Sequence, residues 1–187
     1  MRILDVKSVL GKDTLVGKSQ AEQDLPQLER AVMEGPPGET IVWDWSRIRI
    51  VTASYLLKTC VQLFKRTLSG ELDKFFVMSG MNDNSAAELK LVLEAESLVM
   101  LVAEGAKGKR VESPSPWGKL DQSYAEAFAE AARQGMVSAG ALHQSSKSKR
   151  GPGIGKTAWI NRLSNLYQAR LLRRKKIGRE FVYELPV

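Results

Sequence analysis

Asn161, Arg162 and Asn165 fall within five residues, and Arg173, Arg174, Lys175, Lys176 and Arg179 within seven. Ile160, Leu163, Leu166 and Tyr167 recur at three- and four-residue steps, the pattern of one apolar stripe on a helix. The opposite face then presents Ala158, Asn161, Arg162, Asn165 and Ala169. Such a face can make paired hydrogen bonds, an asparagine amide to adenine and a guanidinium to guanine, and its alanines allow close approach. No acid interrupts it, whereas a solvated helix face commonly mixes Glu with Lys. Thr157 is placed to cap the helix, and Lys156 stands where free backbone N–H groups favour a phosphate. Lys147, Lys149 and Arg150 in the preceding loop add charge. The five later cations repel one another unless a polyanion neutralises them. A soluble helix face and a basic strand edge that resists aggregation account for the same residues without a ligand.

Other chemistry fares less well. Cys60 is the only cysteine and His143 the only histidine, which leaves no internal disulfide and argues against a zinc site. Gly151-Pro-Gly-Ile-Gly-Lys-Thr157 invites a nucleotide-binding reading. The phosphate-binding loop, however, needs four residues between its first Gly and the Gly-Lys-Thr, after a buried strand. Here three residues intervene, and Ser-Ser-Lys-Ser-Lys-Arg precedes them. Glu94 and Glu96 lie two apart and face different ways on a helix, so they make no acid–base pair. The expectation is a protein without catalytic, cofactor-binding or metal-binding residues.

The net charge of +7 is unevenly spread. Residues 147–187 hold 11 Lys and Arg against Glu180 and Glu184, a net of +9, while residues 1–146 hold 17 against 19, a net of −2. Such asymmetry points to a polyanion bound by one end of the molecule. Asp5 and Lys7 break the first apolar run before a secretory core could form, and the stretch 89–103 is interrupted by Glu94 and Glu96. A cytoplasmic location and no membrane partner are expected.

These residues need elements to hold them. Before residue 104, strand and helix signals alternate: strands at 1–10, 14–16, 40–45, 75–79 and 97–103, helices at 20–33, 53–68 and 85–94. That order implies an α/β layer with a partly parallel sheet. Trp43 and Trp45 alternate with Asp44 and read as core. Residues 104–119, rich in Gly, Pro, Ser and Lys, read as a linker. Residues 120–187 then read as three helices, at 122–133, 139–144 with Ser138 as its cap, and 157–169, with a long basic loop at 145–155. A hairpin follows, 171–176 and 180–185, about Ile177-Gly178-Arg179. Its inner face is expected from Leu172, Phe181, Tyr183 and Leu185.

Thr157-Ala-Trp-Ile-Asn-Arg-Leu-Ser-Asn-Leu-Tyr-Gln-Ala-Arg-Leu-Leu-Arg-Arg174, followed by Gly178-Arg-Glu-Phe-Val-Tyr-Glu-Leu-Pro186, resembles the recognition helix and wing of bacterial winged-helix transcription regulators. The resemblance implies that Asn161, Arg162 and Asn165 read bases and that Arg179 serves the wing. The loop at 145–155 is longer than the three- or four-residue turn of such proteins. Residues 38–103, through Ile41-Val-Trp-Asp-Trp45 and a helix opening at Ala53-Ser54, resemble STAS-like domains. Thr52-Ala-Ser54-Tyr departs from the Asp-Ser-Gly signature of phosphorylatable members, and Ser54 more simply caps the helix.

The expectation is therefore an α/β protein: a small STAS-like domain (1–103), a linker (104–119) and a winged helix-turn-helix (120–187) that binds double-stranded DNA as a transcription regulator. The first domain is left for sensing, for a protein partner or for a second copy of the chain. A protein-interaction module with a basic docking end and a nucleotide hydrolase remain as alternatives.

Overall fold

β-branched and aromatic runs form the strands and amphipathic runs the helices of a computed structural model, which describes residues 1–107, 110–148 and 154–187. The chain divides into two units, Met1–Lys119 and Leu120–Pro186.

The first unit begins with β1 (Arg2–Asp5) and α1 (Val6–Leu10), where a single strand over 1–10 was expected. Asp5 ends the strand by capping the helix: its carboxylate accepts from the Ser8 N–H at 3.0 Å. There follow β2 (Thr14–Leu15), α2 (Gly17–Met33), β3 (Glu39–Asp44), β4 (Ile50–Val51), α3 (Ala53–Lys58), α4 (Cys60–Leu68), β5 (Lys74–Ser79), α5 (Asp83–Ala95) and β6 (Met100–Ala103). β7 (Gly105–Lys107), β8 (Arg110–Glu112) and β9 (Ser115–Trp117) complete the unit. The main sheet has the order β1-β3-β5-β6-β9, parallel except for β9, and is thus a mixed sheet in an α/β fold.

Two expectations are corrected here. The helix over 53–68 breaks at Thr59 (φ −120°, ψ −101°), whose hydroxyl donates to the Tyr55 carbonyl at 2.7 Å, a local bond that competes with the helical ladder. Residues 104–119 are not a bare linker: β7 and β8 pair as a ribbon, and β9 adds the fifth strand to the sheet.

The sheet's apolar face is filled by Trp43, Trp45, Phe76, Phe64, Leu28 and Met78, all essentially inaccessible. Trp43 and Trp45, two apart on an extended chain, point the same way and stack at 6.4 Å. Among the described residues two charged groups, Lys74 and Asp24, are buried with partners. Lys74 donates to the carbonyls of Gly35 (2.6 Å) and Pro36 (2.8 Å), and Asp24 accepts from Lys12 (2.7 Å) and from the Tyr55 hydroxyl (2.8 Å). Burial and the Asp24 carboxylate both raise the Tyr55 pKa, so the phenol stays a donor.

The second unit comprises α6 (Gln122–Gln134), β10 (Met136–Ser138), α7 (Ala139–Ser148), α8 (Lys156–Gln168), β11 (Arg173–Ile177) and β12 (Glu180–Glu184). The sequence gives little sign of β10, three residues long, yet it completes an antiparallel sheet of order β10-β12-β11. α7 also runs further than expected, so the long loop over 145–155 is helical through Ser148. The helices enclose Ala127, Phe128, Ala131, Leu142, Trp159, Leu163 and Leu166, with Leu171, Leu172 and Tyr183 closing the core from the hairpin.

Candidate nucleic-acid interface

α8 packs on α6 and α7, and the side chains it buries are Trp159, Leu163 and Leu166. This differs from the expected stripe. Ile160 is 45% exposed and Tyr167 only half-buried, while Trp159 supplies the anchor. At about 100° per residue, exchanging Ile160 and Tyr167 for Trp159 while Leu163 and Leu166 stay inside shifts the centre of the buried face by roughly an eighth of a revolution. The outward face consequently carries Thr157, Ile160, Asn161, Asn165 and Gln168, with Ser164 partly covered among them. It contains no acid.

The expected site residues separate under this rotation. Asn161 is exposed as expected. Asn165 is exposed too, but its amide donates to the Tyr124 hydroxyl of α6 at 2.7 Å. Arg162 is turned inward: its side chain is 20% exposed, lies 5.3 Å from the Trp159 ring and stands 3.9 Å from the Glu126 carboxylate. Ala158 and Ala169 are half-buried rather than open.

The helix ends are built differently from expectation. Gly155, not Thr157, is the N-cap, and no side chain caps the first turn; Thr157 lies inside it. At the other end Arg170 takes a left-handed φ of 61°, and the N–H groups of Arg170 and Leu171 reach the carbonyls of Tyr167 (3.0 Å) and Leu166 (2.9 Å). This reversed turn satisfies carbonyls that the helix leaves open and leads Leu171 into the core. In α7 the Ser138 hydroxyl accepts from the Ala141 N–H at 3.2 Å, as a cap does.

The hairpin cations divide by strand alternation. Arg174 and Lys176 share a face with Tyr183 and Phe181, their paired residues, whereas Arg173 and Lys175 project from the other. Arg174 is sandwiched between the rings of Tyr167 and Phe181, 4.3 Å from each, and so serves packing. Lys175 pairs with Glu184 at 2.5 Å, and Lys156 with Glu180 at 3.5 Å. Arg173 is half-buried. Lys176 and Arg179 are exposed, and no acid among the described residues pairs with them. Ile177 and Glu180 are paired, so Gly178 and Arg179 form a two-residue turn, with Gly178 at φ 59° in the left-handed region that its first position requires. Of the loop cations, Lys149 and Arg150 lie outside the described residues, and Lys147 falls in the last turn of α7.

Charge follows the division into units. Met1–Lys119 holds 16 Lys and Arg against 16 Asp and Glu, and Leu120–Pro186 holds 12 against 5, so the net charge of +7 belongs wholly to the second unit.

The first unit offers less chemistry. Ser54 does not cap α3; Thr52 occupies the cap, and the Ala53 N–H is taken by the Glu88 carboxylate at 2.6 Å. Burial pushes the Cys60 thiol up to about 12, so it remains protonated and unreactive. At the ends of the parallel strands, burial tends to raise the Asp5 pKa, but hydrogen bonds from Ser8 and Arg47 outweigh it and hold the carboxyl below its usual range. Gly80 (φ +71°) sits so near Ser46 that a Cβ would come within 2.9 Å of the serine Cβ, which keeps the β3 and β5 ends closed together. Among the described residues no group of three or more His, Cys, Asp or Glu could hold a metal ion, and no helix is long and apolar enough to cross a membrane.

Compared with protein-family models, curated proteins and solved structures, the chain matches none.

Proposed function

We propose that the chain is a DNA-binding protein, a transcription regulator whose second unit is a winged helix. The observation that carries this reading is the acid-free outward face of α8, in a unit that holds the entire net charge of the chain. The order α6-β10-α7-α8-β11-β12, with the short β10 joining the hairpin as a third strand, supports it as well. In this reading α8 enters a major groove with Asn161 and Gln168 toward the bases, and Thr157 and Asn165 beside them. Lys176 and Arg179 at the hairpin tip neutralise phosphates. Arg162 positions α8 against α6 rather than reading a base. The first unit, whose strand-loop-helix run through Asp44 and Ala53 motivates the STAS-like reading, is assigned to partner contact.

The test is an anisotropy titration of the full chain with duplex DNA at several salt concentrations. Each lost phosphate contact shallows the logarithmic salt slope by about 0.9. The double variant Lys176→Ala, Arg179→Ala is expected to shallow it by roughly two units on matched and scrambled duplexes alike. An unchanged slope would remove the hairpin from the interface. Binding to an acidic protein but to no duplex would favour a basic docking module instead.

A further inference from the structure

Ile160 and Phe181 are large apolar side chains, each 45% exposed, one on α8 and the other on β12. Together with Lys156, Arg179, Glu180 and Tyr183 they line a cleft of about 190 Å³ between the helix and the hairpin. Neither belongs to the core, whose residues on these two elements are Trp159, Leu163, Leu166 and Tyr183, although Phe181 also packs against Arg174, 4.3 Å from its ring. The cleft therefore offers an apolar wall between two cations, on α8 and at the hairpin tip. Its one acid, Glu180, is engaged by Lys156 at 3.5 Å.

We infer that this cleft seats one deoxyribose of a DNA strand, with Ile160 and Phe181 against the sugar and Lys156 and Arg179 on its two flanking phosphates. The inference rests on the DNA-binding reading above and adds to it a preference for the sugar. A phosphate–sugar–phosphate repeat alternates charge with apolar surface, as the lining of the cleft does, and about 190 Å³ is the scale of one pentose rather than a base pair. The apolar wall suits a 2′ carbon that bears only hydrogen. A ribose would press its 2′-hydroxyl against Ile160 and Phe181, and burying a hydroxyl without a partner is unfavourable. Recognition of DNA over RNA is thus built into one nucleotide position, separate from base reading by α8.

The experiment uses the full chain and a duplex selected from a random library, with a single ribonucleotide moved stepwise along one strand. Affinity is expected to fall at least about fivefold at one or two adjacent positions and to be unchanged elsewhere. A 2′-fluoro nucleotide at the sensitive position keeps the ribose pucker without the hydroxyl, and it should bind as deoxyribose does. Ile160→Ser should abolish the ribose penalty while circular dichroism stays unchanged, and Phe181→Ser, which also removes the ring against Arg174, should abolish it too. The inference is overturned if no position is ribose-sensitive, if the fluoro sugar is as weak as ribose, or if the serine variants keep the penalty. Tighter binding of the ribose, its hydroxyl donated to Glu180, overturns it too. A wild-type chain that binds no duplex at all refutes the DNA-binding reading itself, and with it this inference, and is seen before any ribose is introduced.

Discussion

At the scale of single residues, the charges around α8 divide between those engaged within the protein and those exposed to solvent. Arg162 and Arg174 cover the rings of Trp159 and of Tyr167 and Phe181, so their cost on removal is paid in folding. Arg162→Ala is expected to lower stability by about 1 kcal/mol, through lost packing and an unpaired Glu126, with the preference for matched over scrambled duplexes unchanged. Thermal melts and paired titrations check this, and a relaxed preference would restore Arg162 as a base reader. Glu180 pairs with Lys156 at 3.5 Å, so under the proposed function its carboxylate would compete with phosphate for that lysine. Glu180→Gln should tighten binding to every duplex and steepen the logarithmic salt slope by about one unit. Weaker binding would instead make Glu180 part of the grip. The sequence made the acid-free character of the helix legible, but not its rotation. Ile160 and Trp159 are neighbouring apolar residues, and only the packing against α6 and α7 decides that the larger side chain is the buried one.

At the scale of elements, long periodic runs were legible and local competition was not. The helices at 17–33, 83–95 and 122–134 and the strands at 39–44 and 74–79 lie within a few residues of where periodicity puts them. The break at Thr59 depends on a hydroxyl choosing a carbonyl, and β10 and β9 are three-residue strands stabilised by neighbours distant in sequence. A Pro-containing strand such as β9 is tolerated at a sheet edge, which is why 115–117 reads as loop from composition. Long-range polar bridges were equally invisible: Lys12, Asp24 and Tyr55 meet across α2 and α3 although 43 positions separate the first from the last. Asp24→Ala leaves the buried Tyr55 hydroxyl without its acceptor and is expected to cost about 1–3 kcal/mol. Chemical denaturation measures it, and a parental midpoint would mean that the bridge contributes nothing.

At the scale of the whole molecule, the chain joins a neutral α/β unit to a basic unit of three helices and a three-stranded sheet. Summed charge was fully legible in the sequence, because it requires no geometry. Which cations stay unengaged was not, because Glu180, Glu184 and the aromatic rings claim several of them. Under the proposed function α8 reads bases, which is distinct from attraction of DNA by charge. The most direct measurement is the ratio of affinities for a selected and a scrambled duplex at one fixed salt concentration, for the wild type and for Asn161→Ala, Gln168→Ala. A specific reader is expected to show a wild-type ratio of about 10³ or more. The double variant should lose at least roughly tenfold of it, since each base contact contributes about 1–3 kcal/mol of discrimination. A wild-type ratio near one, or a ratio that the double variant leaves intact, would refute base reading by α8.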